Sequence, residues 1–182
     1  MEKRKIYGKD LTISFQKLSK DNCHMLSKIN CNKKYIQKYF REEALNDNKA
    51  TTYIFINELD SDVISAFSIS CSGIVDTSNP RYRDIIPAIE IDNFATNENY
   101  QKMPYSEDWD DGTLSHQLLL FCINYIKQVP CSYCSAVALI LHSVPDAIKF
   151  YENGGFQSFL EYMSEKNTTY LKGCTPMFLN LI

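Results

Sequence analysis

The stretch from Ala138 to Phe159, ALILHSVPDAIKFYENGGFQSF, constrains this chain more than any other. The apolar run Val137 to Leu141 has the character of a strand buried on both faces, where alternation is lost. Ser143-Val144-Pro145 follows, and proline suits the first turn of a helix because its missing N–H has no partner there in any case. Ala147, Phe150 and Tyr151 recur at i, i+3 and i+4, which sets them on one helical face. Asn153-Gly154-Gly155 stops that helix, since glycine enters the left-handed conformation without a Cβ penalty. Phe156-Gln157-Ser158-Phe159 then resumes as a strand. The order is strand, short helix, glycine stop, strand.

The rest of the chain falls into similar pieces. Asp10 to Leu18 alternates as an opening strand does. Ser19 to Ile29 reads as a helix capped by Ser19 or Asp21, and Lys33 to Leu45 as a second, with Ile36, Tyr39, Phe40 and Ala44 on its apolar face. Thr51 to Asn57 and Val63 to Ser70 are strands joined by a polar turn of hairpin length. Ser72 to Arg83 reads as a loop, and Pro87 to Thr96 as the next strand. An irregular stretch, Asn97 to Asp111, leads into a largely buried helix over Thr113 to Gln128. A strand over Tyr133 to Leu141, the helix bearing Tyr151, a strand at Phe156 and a last strand over Tyr170 to Leu181 complete the order. The expectation is α/β: one domain over residues 1–182, with a mixed sheet of six or seven strands and about four flanking helices.

Composition narrows the function. The 182 residues are 45% hydrophobic, with 12 Tyr and 10 Phe, too apolar for a disordered chain and enough for a substantial core. A net charge of −3 gives no general basic field for nucleic acid, which disfavours tRNA as a partner while leaving room for a local patch. The first residues, MEKRKIYGKDL, lack the apolar centre of a signal peptide, and no run reaches the ~18 apolar residues of a membrane span. A cytoplasmic protein, monomeric or homodimeric and without a membrane partner, is expected. The seven cysteines have no framework spacing and read as small hydrophobes. Cys131 and Cys134 form the one spaced pair. Zinc would need two more ligands near it in sequence, and His24, His116 and His142 supply none, so no metal is expected.

The C-terminal segment resembles the last conserved segment of the GNAT superfamily of acyl-CoA N-acyltransferases, through Ala147, Tyr151, Gly155 and Phe156. The order of elements is similar too. The piece from Asn30 to Ser70, ending in SAFSIS, is similar to the start of the GNAT branch that includes acetyltransferase toxins. The closing LKGCTPMF resembles a Gram-positive bacterial subgroup with an altered pyrophosphate loop. The resemblance implies acetyl-CoA as co-substrate and a primary amine, on a small molecule, a protein or a peptide, as acceptor. A toxin acting on aminoacyl-tRNA and a GNAT-derived binding or regulatory module that no longer catalyses are its alternatives.

By this resemblance Tyr151 protonates the departing CoA thiolate, although Phe150 and Tyr151 also suit a purely core-facing helix. Period two puts Glu90, Asp92, Phe94 and Thr96 on one face of their strand. The spacing Glu-Ile-x-x-x-Ala, Glu90 to Ala95, is similar to a branch in which that glutamate is the general base, and desolvation would raise its pKa towards use at neutral pH. Asp92 is the second candidate base. Phe94, Ala95 and Thr96 would pair with pantetheine through their backbone, with the strand splayed from its parallel neighbour. The phosphate loop allows two alignments. Gln101 has the family spacing from Ala95 but puts Pro104 and Ser106 at the glycine positions. Asp110 to Ser115 (Gly112, Thr113, Leu114, Ser115) instead leads directly into a helix, whose amides suit phosphate. Ser143 and Ala147 complete the implied cofactor contacts. Glu107, Asp108, Asp110 and Asp111 beside a pyrophosphate are unfavourable unless they turn away or bind a cation.

Overall fold

The computed structural model describes residues 3–6, 9–76, 84–106, 111–128, 133–159 and 173–181. The chain packs as two compact units: residues 1–69 with 93–119, and residues 70–92 with 120–182. Strands Asp62–Asp76 and Asp84–Thr96 and helix Leu114–Gln128 each contribute residues to both.

In the first unit the strand order is β1 (Lys3–Ile6), β2 (Lys9–Lys17), β3 (Ala50–Asn57), β4 (Asp62–Asp76) and β5 (Asp84–Thr96). β1 to β3 are antiparallel, with Phe15 opposite Phe55. One core cluster joins Ile54, Ile56, Val63, Ala66 and Ala95 of the sheet to Leu26, Ile29, Phe40 and Ala44 from the segments between β2 and β3. On β2 to β4, Phe15, Tyr53, Phe55 and Phe67 form a second group, with ring centroids 5.0 to 6.1 Å apart.

The two segments between β2 and β3 are tighter and shorter than regular helices. Asn22 accepts the Ser19 N–H at 2.8 Å and donates to the Lys17 carbonyl at 3.0 Å, so the chain turns before it coils. A 3₁₀ helix follows over Cys23–Lys28 instead of the helix expected from Ser19. Helix α1 (Lys34–Lys38) passes into a π-helix over Tyr39–Glu43, closed by Ala44 N–H to Tyr39 carbonyl at 2.9 Å. Arg41 donates twice to the Ile29 carbonyl, at 3.1 and 2.6 Å, joining the two segments. Ile36, Tyr39, Phe40 and Ala44 all reach the core as the pattern required.

In the second unit the order is β4, β5, β6 (Ala138–Ser143), β8 (Thr175–Asn180) and β7 (Gln157–Ser158). β5 and β6 are parallel from Ala88↔Ala138 to Ile91↔Leu141, whereas β8 is antiparallel to both β6 and β7. The pairing of β5 with β6 stops at Ile91, although β6 runs on to Ser143 and β5 to Thr96. Ile74, Ile86, Ala88, Ala138, Ile140 and Phe178 form this unit's apolar cluster.

Several boundaries differ from the sequence pattern, among them the start of β5 at Asp84 where Pro87 was expected. β4 continues to Asp76, where a loop was expected from Ser72, because its serines pair with carboxylates of β5. Gly73 belongs to this extension, and a Cβ there would come within 2.6 Å of the Ile85 side chain. β6 begins at Ala138, not Tyr133. Within the irregular stretch, Glu98–Gln101 forms a short helix, α2, and Tyr100 donates to Asp62 at 3.0 Å. Residues 77–83, 107–110 and Tyr170 to Lys172 lie outside the described residues, as does Cys131. Among the described residues no helix is long and apolar enough to cross a membrane.

Candidate active site

The carboxyl end of the β5–β6 pair interrupts an apolar sheet face with polar groups. Alternation along β5 sets Ile86, Ala88, Glu90 and Asp92 on one side. Glu90 is buried, its side chain 8% exposed, and its Oε1 lies 3.3 Å from Nδ1 of His142 on β6. Ser72 of β4 donates to its Oε2 at 3.1 Å. Beside it, Ser70 donates to the exposed Asp92 at 3.1 Å. The two predicted carboxylates are therefore neighbours, each held by a serine of the adjacent strand.

His142 was not expected. Its side chain is 3% exposed, and neither ring nitrogen makes a hydrogen bond among the described residues. The Nδ1 contact with Glu90 is close enough for an ion pair but lies off hydrogen-bond geometry. The available signal was a single histidine ending an otherwise apolar strand, ALILH.

Tyr151 is carried by α4 (Ile148–Asn153), which follows a 3₁₀ turn begun by Pro145. The helix ends in a Schellman arrangement: Phe156 N–H reaches the Tyr151 carbonyl at 3.1 Å and Gly155 N–H the Glu152 carbonyl at 2.9 Å. Gly155 has φ +91°, the conformation that arrangement demands. The half-buried Tyr151 ring stands edge-on to Phe150 and Phe156, at 5.2 and 5.8 Å between centroids. Ser143 is buried at the end of β6, and Ala147 closes the turn with its N–H on the Val144 carbonyl at 3.0 Å.

In the first unit, the cofactor candidates on β5 are tied inward. Ser65 donates to the Ala95 carbonyl at 2.8 Å, and Gln101 to the Thr96 carbonyl at 2.9 Å. The Thr96 and Ser115 hydroxyls share a buried bond of 2.8 Å. Phe94 is half-buried, and the Ala95 methyl belongs to the core. Helix α3 (Leu114–Gln128) begins one residue later than expected, and its first-turn amides are largely engaged. Leu114 N–H goes to the Met103 carbonyl at 2.8 Å, His116 N–H to Thr113 Oγ1 at 3.3 Å and Gln117 N–H to the Thr113 carbonyl at 3.1 Å. Tyr105 N–H to the Gly112 carbonyl at 2.9 Å, with a bridge between Pro104 and Thr113, closes the loop on itself. Among the described residues no three His, Cys, Asp or Glu side chains group as metal ligands would.

A mixed sheet of this order, with one parallel central pair and a strand–helix–strand unit closing it, is a GNAT-type α/β fold. Solved structures of bacterial toxins share it. One bacterial toxin superposes with a TM-score of 0.73 over 94% of this chain and 92% of its own, at 15% identity. A mutant of the toxin AtaT, bound to the C-terminus of the antitoxin AtaR and to acetyl-CoA, gives 0.68 over 93% of both chains at 13% identity. AtaT complexed with acetyl-methionyl-tRNAfMet gives 0.66 over 93% of this chain and 95% of its own, at 14% identity. No protein-family model and no curated protein sequence matches the chain.

Proposed function

We propose that this protein is an acetyl-CoA-dependent N-acetyltransferase that passes the acetyl group directly to a primary amine. The observation that carries the reading is Glu90, a buried carboxylate at the carboxyl end of the central parallel pair, where open α/β sheets receive ligands. The ammonium of the acceptor gives one proton to Glu90. The amine nitrogen then attacks the thioester carbonyl; a C–N bond forms and the C–S bond breaks. Tyr151 gives its hydroxyl proton to the departing sulfur and regains one from the nitrogen. Asp92, exposed beside Glu90, draws the cation towards it.

The backbone of Phe94, Ala95 and Thr96 holds the pantetheine arm, and its amides suit a developing oxyanion. Gln101, Gly112, Thr113, Leu114 and Ser115 form the phosphate end, with Ser143 and Ala147 the remaining contacts. The fit is uneven: extended β5 suits pantetheine, whereas the amides of Leu114 and His116 are already engaged. Calorimetric titration with acetyl-CoA tests the reading. Micromolar binding is expected; no heat at millimolar ligand would end the enzyme assignment in favour of a non-catalytic module.

Among acceptors, the aminoacyl end of tRNA is favoured by the distribution of charge. Lys17, Lys20, Lys28, Lys33, Lys34, Lys38 and Arg41 face a single acid, Asp21, between residues 17 and 41, although the whole chain carries −3. All but Lys33 are exposed. Such a stretch neutralises phosphate regardless of net charge. With labelled acetyl-CoA, the label should enter charged tRNA and the rate should fall steeply with salt. Label passing to a free polyamine but not to charged tRNA would reject this acceptor.

A further inference from the structure

We propose that His142 is the positioning residue of Glu90, fixing its carboxylate, together with Ser72, as the proton acceptor for the substrate ammonium. The inference rests on the transferase reading above. Three observations in the second unit carry it. His142 Nδ1 stands 3.3 Å from Glu90 Oε1, and Ser72 holds the other oxygen at 3.1 Å. Both side chains of the pair are more than nine-tenths buried. On the side of the pair away from Asp92 that face is apolar, from Ile74 and Ala88 to Ile140 and Phe178.

A core that only needed filling would not keep this arrangement. A buried polar atom without a hydrogen bond keeps its full desolvation penalty, and His142 has two. A leucine, matching Leu139 and Leu141 on the same strand, would avoid that cost. The pair gains its value when a proton arrives. Glu90 must be ionised to receive one, and a buried carboxylate is tolerable only beside a donor or a cation. Ser72 already donates to Oε2, and a small turn of the His142 ring would bring an Nδ1–H from 3.3 Å into line with Oε1 as the second donor. The balance is simple: one proton leaves the ammonium and neutralises Glu90, no bond to His142 forms or breaks, and the proton then passes to solvent.

The test uses the full chain with a turnover assay and nitrogen-15 NMR, in which only three histidines contribute. His142→Leu should lower kcat about 10- to 100-fold while leaving the Kd for acetyl-CoA unchanged. His142→Asn, whose amide N–H falls near the Nδ1 position, should restore turnover to within about threefold of wild type. In the wild-type protein the ring should carry its proton on Nδ1. Turnover in His142→Leu within about twofold of wild type, or an Nε2–H ring in the wild type, would overturn the inference alone. If His142→Leu fails to fold, His142→Asn and the ring tautomer still decide. A wild-type protein that binds acetyl-CoA but acetylates no amine would overturn the transferase reading, and this inference with it.

Discussion

Tyr151→Phe is expected to lower kcat for acetyl transfer by about 10²- to 10³-fold, the range for loss of a positioned general acid, with the Kd for acetyl-CoA unchanged. The substitution removes one oxygen and leaves the ring. Its edge-on contacts with Phe150 and Phe156 persist, and so do the main-chain bonds that Gly154 and Phe156 make to the Tyr151 carbonyl. The melting temperature should therefore hardly move. Rapid-quench measurement of a single turnover isolates the chemical step, and calorimetry reports the affinity. An unchanged single-turnover rate would return Tyr151 to an ordinary helix aromatic.

The second large effect concerns stability. Phe67→Ala should lower the unfolding free energy by about 3–5 kcal/mol, the cost of emptying a buried aromatic site. Phe67 is fully buried and lies 5.3 Å from Tyr53 and about as far from Phe15 and Phe55, at 6.0 and 6.1 Å. Three rings would lose one partner at once, and strands β2 to β4 cannot close around the void without breaking their ladder. Because domains hold only ~5–15 kcal/mol in total, the variant would sit near its unfolding threshold. Denaturant titration checks this; a loss under ~1 kcal/mol would mean that the aromatic group is not part of the cooperative core.

Periodicity revealed those parts of the fold in which one residue's burial decides its conformation. The segment from Pro145 to Phe156 carries a proline start, a helical face and a glycine stop in twelve residues, and the structure follows it. The segment after β2 did not yield to the same logic. Cys23, Leu26 and Ile29 have helical spacing, but the main chain there tightens to i→i−3 bonds, Met25 N–H to the Asn22 carbonyl and Ile29 N–H to the Leu26 carbonyl, both at 3.1 Å. A hydrophobic pattern does not separate so short a 3₁₀ stretch from an α-helix. The extension of β4 was hidden for a related reason. Ser70 and Ser72 look like loop residues until their partners, Asp92 and Glu90, are seen on the next strand.

Much of the candidate site was legible as residue types, and little of it as geometry. Glu90 and Asp92 follow from alternation along one strand, and their adjacency needs nothing more. His142 lies 52 positions from Glu90, and only the parallel register of β5 with β6 brings them together. The phosphate end shows the converse. Gly112 to Ser115 has the composition of a cradle, yet Met103 and Thr113 take up amides that composition leaves open.

The bonds made ahead of α3 by Met103, Tyr105 and Gly112 bear on what the proposed transferase has to recognise in its donor. In the proposed transferase reading, an anion reaching that helix meets a start at which the Leu114 and His116 amides are already engaged, so the nucleotide half of a thioester donor gains less there than from an open helix start. Grip in that reading shifts to the pantetheine arm proposed for β5. Discrimination between donors becomes a matter of the acyl-pantetheine portion, and the nucleotide acts chiefly as a handle for solubility and delivery.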